Sequence, residues 1–102
     1  MYIAMNRFQV AKGSEEAFET VWRDRDSHLE GTPGFLEFTM LRGPAAADHT
    51  LYISKSRWAS ERAFRDWTTS ESFRLAHKDA GSAKHMYLGP PIFEGFNVLE
   101  GI

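Results

Sequence analysis

The hydrophobic period changes along this chain, and that change limits its fold more than any other feature. Residues 2–10 alternate: Tyr2, Ala4, Phe8 and Val10 share one face, and Ile3, Met5, Arg7 and Gln9 share the other. A period of two is a strand signature. Lys12-Gly13 ends it. Ser14 is placed to cap a helix whose first residues, Glu15 and Glu16, suit the positive helix end. Phe18, Val21, Trp22 and Leu29 then fall on one helical stripe, and Gly31 to Gly34, with Pro33, closes that helix. Residues 35–42 and 50–58 read as second and third strands joined by a loop over 43–49. Ser60 caps a second helix carrying Ala63, Phe64 and Trp67. Thr68-Thr69-Ser70 interrupts it, and Ser70 caps a further turn or two carrying Phe73, Ala76 and His77. Lys78 to Pro91 is polar and punctuated by glycine and proline, which predicts a mobile segment. Residues 92–100 read as a last strand. The order β-α-β-β-α-β predicts an α+β, ferredoxin-like fold, an antiparallel sheet with its helices on one face.

A length of 102 residues predicts a single domain over 1–102. Hydrophobic residues make up 42% and aromatic residues 14%, enough for a packed core. Burial per residue is modest at this size, so self-association would add stability. The formal charge of −2 gives no electrostatic footprint for nucleic acid. No apolar run reaches the roughly 20 residues of a membrane span. Met1 to Met5 reads as strand and lacks the basic region of a signal peptide. The absence of cysteine removes disulfides, thiolate metal sites and cysteine nucleophiles, and leaves the cytoplasm as the expected compartment.

Three residues stand out from an ordinary core. Asn6 lies on the apolar face of the first strand between Ala4 and Phe8. An unpaired buried amide costs roughly 1–3 kcal/mol, so Asn6 is either a satisfied core amide or a donor aimed into a cavity between sheet and helices. Trp67 shares a stripe with Ala63 and Phe64, a pattern that suits a core and an apolar pocket alike. His77 shares a face with Phe73, four residues earlier, at the end of the second helical stretch. A lone imidazole is poor for zinc. It is adequate for haem iron, where the porphyrin supplies four ligands. His28, His49 and His85 fall in a charged helix, a loop and the polar segment, and surface positions suit all three. Glu61, Asp66, Asp24 and Asp26 fall on solvated helix faces and form no acid–base pair. The sequence holds no phosphate-binding glycine loop and no serine nucleophile elbow.

The segments MNRFQV with Asn6, GTPGF before the second strand, and AFRDWTTSESFRLAH with Trp67 and His77 resemble the IsdG-type haem-degrading monooxygenases of the antibiotic biosynthesis monooxygenase (ABM) superfamily. The resemblance runs from Tyr2 to the last strand. It implies an ABM-type domain that pairs its sheets in a homodimeric α+β barrel, with one haem pocket per protomer. It implies Asn6 as the distal hydrogen-bond donor, Trp67 as the bulky group that presses the porphyrin out of plane, and His77 as the axial iron ligand. Phe64 and Phe73 would line the same pocket. Arg74, Lys78 and Lys84 lie near its presumed mouth, where they suit either haem propionates or solvent.

The activity implied is O2-dependent cleavage of haem, which is both substrate and cofactor. Electrons would come from an external donor, either a reductase or a small reductant, and iron would be released. Two other activities fit the same residues. One is a cofactor-independent monooxygenase acting on an aromatic or quinol substrate. The other is a non-catalytic haem-binding protein.

Overall fold

The computed structural model describes residues 1–24, 29–77 and 85–102, with the side chains of Ser72, Ala76 and His77 outside the described part. The elements are β1 (Tyr2–Ala11), α1 (Glu15–Asp24), β2 (Phe35–Ala45), β3 (His49–Trp58), α2 (Glu61–Thr68), α3 (Glu71–His77) and β4 (Ile92–Asn97). The strands form one antiparallel sheet in the order β2-β3-β1-β4. This is the α+β ferredoxin-like arrangement that the hydrophobic periods predict. β1 is central, paired with β3 from Tyr2↔Trp58 to Ala11↔His49 and with β4 from Tyr2↔Asn97 to Arg7↔Ile92. Among the described residues no helix is long and apolar enough to cross a membrane.

The alternation in β1 sorts its side chains as expected. Tyr2, Ala4, Phe8 and Val10 are buried beneath the helices, with Asn6 half-buried among them. The same face of β3 contributes Thr50, Tyr52, Ser54 and Trp58, all buried. Full burial of an aromatic side chain such as Phe18 contributes roughly 1.5–3 kcal/mol. Among the described residues no helix covers the other face of the sheet, which exposes Leu41, Ile92 and Phe96.

Hydroxyl side chains explain why the second helical stretch breaks. Thr68, Thr69 and Ser70 each donate to the carbonyl three residues back, at 2.7, 3.0 and 2.6 Å. These bonds satisfy the open carbonyls at the end of α2. The Ser70 hydroxyl then accepts from the Phe73 N–H at 3.2 Å and starts α3. Ser60 caps α2 in the same way, accepting from the Ala63 N–H at 3.1 Å.

The structure corrects several expectations. Val21 is exposed, while Phe18 and Trp22 pack toward the sheet. Leu29 lies beyond α1 and packs with Tyr2 and Trp58 instead of Phe18. The described part of the polar segment, residues 85–91, is not loose. Met86 is buried against Phe8 and Phe18, Tyr87 bridges to Val10, and the Leu88 N–H donates to the Gln9 carbonyl at 3.0 Å. Residues 78–84 of that segment lie outside the described residues.

Two local devices fix the helices over the sheet. Gly34 has φ +82°, and a Cβ there would lie 2.4 Å from the Ala63 Cβ. The bare backbone lets α2 settle against the Gly31–Gly34 turn, whose Gly34 carbonyl accepts from the Ala59 N–H at 2.8 Å. On α1, Glu15 and Glu19 are one turn apart and both reach β3. Thr50 Oγ1 donates to Glu15 Oε2 at 2.9 Å, and the Tyr52 hydroxyl donates to Glu19 Oε2 at 2.5 Å. Arg42 adds a 3.3 Å contact to the same Glu19 oxygen.

Gly34→Ala combines left-handed strain with overlap at Ala63. It is expected to cost roughly 2 kcal/mol or more in urea unfolding, and an unchanged midpoint would contradict this. The Glu15 carboxyl is held below the ordinary glutamate range by its own backbone N–H, then by the Thr50 hydroxyl and the Gly13 N–H. A depressed carboxylate stabilises the fold above the unfolded-state pKa of about 4.3, and that contribution is lost as pH falls through the lower folded value. Glu15→Gln is therefore expected to be the less stable protein at neutral pH and to close on wild type as the pH drops below about 4.3. Two parallel stability–pH curves would show that Glu15 contributes no such linkage.

Candidate functional site

The candidate site is built around one row of residues across the helix-covered face. Register places Met40, Ser54, Asn6 and Phe93 side by side on β2, β3, β1 and β4. Ser54 is buried and Asn6 half-buried. An amide and a hydroxyl thus sit side by side in the middle of this face.

An aromatic wall stands on each side of this polar row. Under α1, Phe8 lies 5.6 Å from Phe18 and 5.7 Å from both Trp22 and Tyr87, and Phe18 lies 4.6 Å from Tyr52. Trp22 in turn stacks on Phe38 at 5.9 Å and 12°. The Glu15 and Glu19 contacts hold this wall by fixing the height and rotation of α1. Burial, then the Glu19 carboxylate, pushes the Tyr52 hydroxyl above its ordinary pKa, so it remains a donor.

Under α2, Trp58 is fully buried and meets Phe64 at 5.7 Å and Trp67 at 5.4 Å. Trp58 Nε1 donates to Ser56 Oγ at 2.9 Å, so its polar atom is satisfied. Trp67 also packs edge-on against Phe73 of α3 at 4.8 Å and lies 6.2 Å from Phe64. The structure therefore brings Phe64, Trp67 and Phe73 together as one wall. Asn6 sits on the sheet face beside it, linked through Phe93, which pairs with Asn6 and stacks on Phe64.

His77 is the last residue of α3, one turn after Phe73, and its side chain lies outside the described residues. Lys78, Lys84, His28 and Asp26 also lie outside them. Arg74 is exposed and engages Glu71 on its own helix, with Nε donating at 3.0 Å. That pairing favours the solvent reading of Arg74 over a propionate contact. Glu61 and Asp66 pair with Arg65 and Arg62, as solvated helix faces do. His85 is exposed. His49 opens β3 and bonds Asp48 at 2.7 Å, which lowers the Asp48 pKa.

Ser54 and Phe93 belong to the site and escape a reading by residue type. Ser54 shares the parity of Tyr52 and Trp58, so the face was legible once the third strand was placed. Phe93 and Phe96 are three apart and cannot share a face, and only register decides between them. A separate concavity of about 200 Å3 indents the opposite face, between Arg7, Gln9, Pro44, His49, Leu51 and Ile92. It shares no residue with the candidate site.

The site brings three things together chemically. It offers an amide as hydrogen-bond donor on the sheet face, aromatic side chains on either side of it, and a helix end bearing an imidazole residue. A planar aromatic ligand with a polar centre matches that set.

Residues 1–79 match the family model described as antibiotic biosynthesis monooxygenase. Heme-degrading monooxygenases of Listeria welshimeri and Listeria innocua are 32% identical to this chain over 84 residues, covering 76% of it and 69% of each relative. MhuD of Mycobacterium tuberculosis, a heme-degrader solved with two hemes bound in its active site, aligns with a TM-score of 0.71 at 24% identity, over 100% of this chain and 99% of that one. SnoaB of Streptomyces nogalater, a cofactor-independent oxygenase, aligns with a TM-score of 0.70 at 22% identity, over 99% of this chain and 95% of that one. At these identities the two structures bear on the fold alone. With its four-stranded antiparallel sheet, its helices on one face and a family match over most of its length, this chain belongs to the antibiotic biosynthesis monooxygenase family.

Proposed function

We propose that this protein is a haem-degrading monooxygenase that cleaves the porphyrin with O2 and an external electron donor and releases iron. The observation that carries the reading is the half-buried amide of Asn6, set beside Ser54 between two aromatic walls, with α3 ending at His77. The one-third-identical relatives carry the same activity in their names.

The residues fit haem. Trp67, Phe64 and Phe73 give an apolar aromatic wall, and Asn6 gives a neutral donor that needs no change of charge to act. Haem, when bound, would supply both the ring that is cleaved and the iron chemistry. His77 would hold the iron through an imidazole nitrogen. Asn6 would offer a hydrogen bond toward the reacting centre, and Trp67 would pack against the ring, a positioning role. The aromatic side chains would limit access of bulk water. The organic chemistry belongs to the haem, and the chain supplies ligand, donor and shape.

We further propose that 1–102 acts as one domain in the cytoplasm and pairs with a second copy through the helix-free face. That face exposes Leu41, Ile92 and Phe96, which a monomer would leave in water. Electrons come from a reductase or a small reductant.

The test is a hemin titration followed by addition of ascorbate under air. A shifted Soret band is expected on binding, then its loss, with iron captured by a ferrous chelator. His77→Ala is expected to weaken hemin binding about 10-fold or more and alter the spectrum. Asn6→Ala is expected to leave affinity near wild type and slow degradation about 10-fold or more. Binding without bleaching or iron release would mean a non-catalytic haem-binding protein. Turnover of a quinol by metal-free protein, with no hemin bound, would mean a cofactor-independent oxygenase. An unchanged spectrum in His77→Ala would remove that residue as ligand.

A further inference from the structure

We propose that Phe93 is a specificity-determining residue, its half-exposed ring serving as the shelf on which a planar ligand rests at the β4 side of the site. The proposal rests on the haem reading. Three observations place the ring there. Register sets Phe93 directly opposite Asn6, on the helix-covered side of the sheet. Its ring stacks on Phe64 of α2, with centroids 5.6 Å apart and planes 9° apart. The residue nevertheless remains 48% exposed. One ring face is therefore taken by Phe64, while about half of the residue's surface stays open to solvent.

The ring is also braced. Gly95, two residues on, lies opposite Ala4 and has no room for a side chain. A Cβ there would fall 1.8 Å from the Tyr2 hydroxyl oxygen and 3.3 Å from Phe93 Cζ. The bare backbone lets Tyr2 lie across β4, where its ring comes within 5.6 Å of Phe64. Tyr2, Phe64 and Gly95 together fix the Phe93 ring before any ligand arrives. A single exposed phenylalanine is ordinary on a protein surface. This one continues an aromatic series that runs through Phe64 and Trp67 to Phe73, and it ends that series at the donor residue. Aromatic rings meet in offset or tilted stacks with a modest gain per pair, and a ring already held in place forfeits little freedom on contact. Because Phe93 lies on the side away from the helix-free face, pairing of two copies through that face leaves it accessible.

A shelf acts on the ring of the ligand and is indifferent to its iron. That separates Phe93 from an iron ligand. The experiment compares hemin, followed by its Soret band, with metal-free protoporphyrin IX, followed by its fluorescence. Phe93→Ala is expected to weaken both by the same factor, about 3- to 10-fold. Phe93→Tyr is expected to restore both, and His77→Ala to weaken hemin alone. Thermal unfolding of Phe93→Ala is expected to stay near wild type, since the side chain is half in water. If wild type binds both porphyrins and Phe93→Ala binds both as tightly, the shelf is wrong and the haem reading stands. A loss confined to hemin would also overturn the shelf. If wild type binds neither porphyrin, the haem reading falls and the shelf with it.

Discussion

The pairing register of β1 is the constraint on which the rest of the molecule depends. β1 is hydrogen-bonded on both sides, to β3 and to β4, so its register sets which residues face the helices across three strands. A slip of one residue would turn Asn6 outward and put Arg7 among the aromatic rings. The buried Tyr2, Ala4, Phe8 and Val10 resist that slip, because each would exchange an apolar environment for water. The polar row at the middle of the site is thus specified by the apolar residues around it.

The helices are held by contacts of a different kind at their two ends of the sheet. α1 is latched by paired carboxylates reaching Thr50 and Tyr52. α2 is seated by the absence of a side chain at Gly34 and by the fully buried Trp58. Between the two clusters lie Asn6 and Ser54, and both flanking walls stand on regular secondary structure. The break at Thr68-Thr69-Ser70 adds a second element to one wall and turns Phe73 onto the edge of Trp67.

Much of this was legible from residue pattern. The alternation in residues 2–10 identified the central strand and the odd position of Asn6 on it. Ser60 and Ser70 marked the two helix starts, because a hydroxyl before a periodic run is a cap with a mechanism. Phe64 and Trp67 fall on one stripe because helical spacing is a local property, whereas Phe73 joins them only across the break at Thr68-Thr69-Ser70. What depended on distant partners was not legible. Leu29 matched the helical stripe of Phe18 by spacing yet packs in the other cluster, because the chain leaves the helix before it. Met86 sits in a polar, glycine-rich stretch that composition assigns to solvent, and only the pairing of Tyr87 with Val10 draws it inward. Phe93 was ambiguous against Phe96 until the register of β4 on β1 was known.

On the proposed function, a porphyrin is held and cleaved between the two aromatic walls. The most direct measurement is a crystal structure of the protein with hemin. The porphyrin is expected between the α1 and α2 walls, with its iron on His77, Asn6 on the opposite side of the ring and the Phe93 ring face against it. Hemin seated on the helix-free face, or between the walls with its iron on a residue other than His77, would contradict the proposed function.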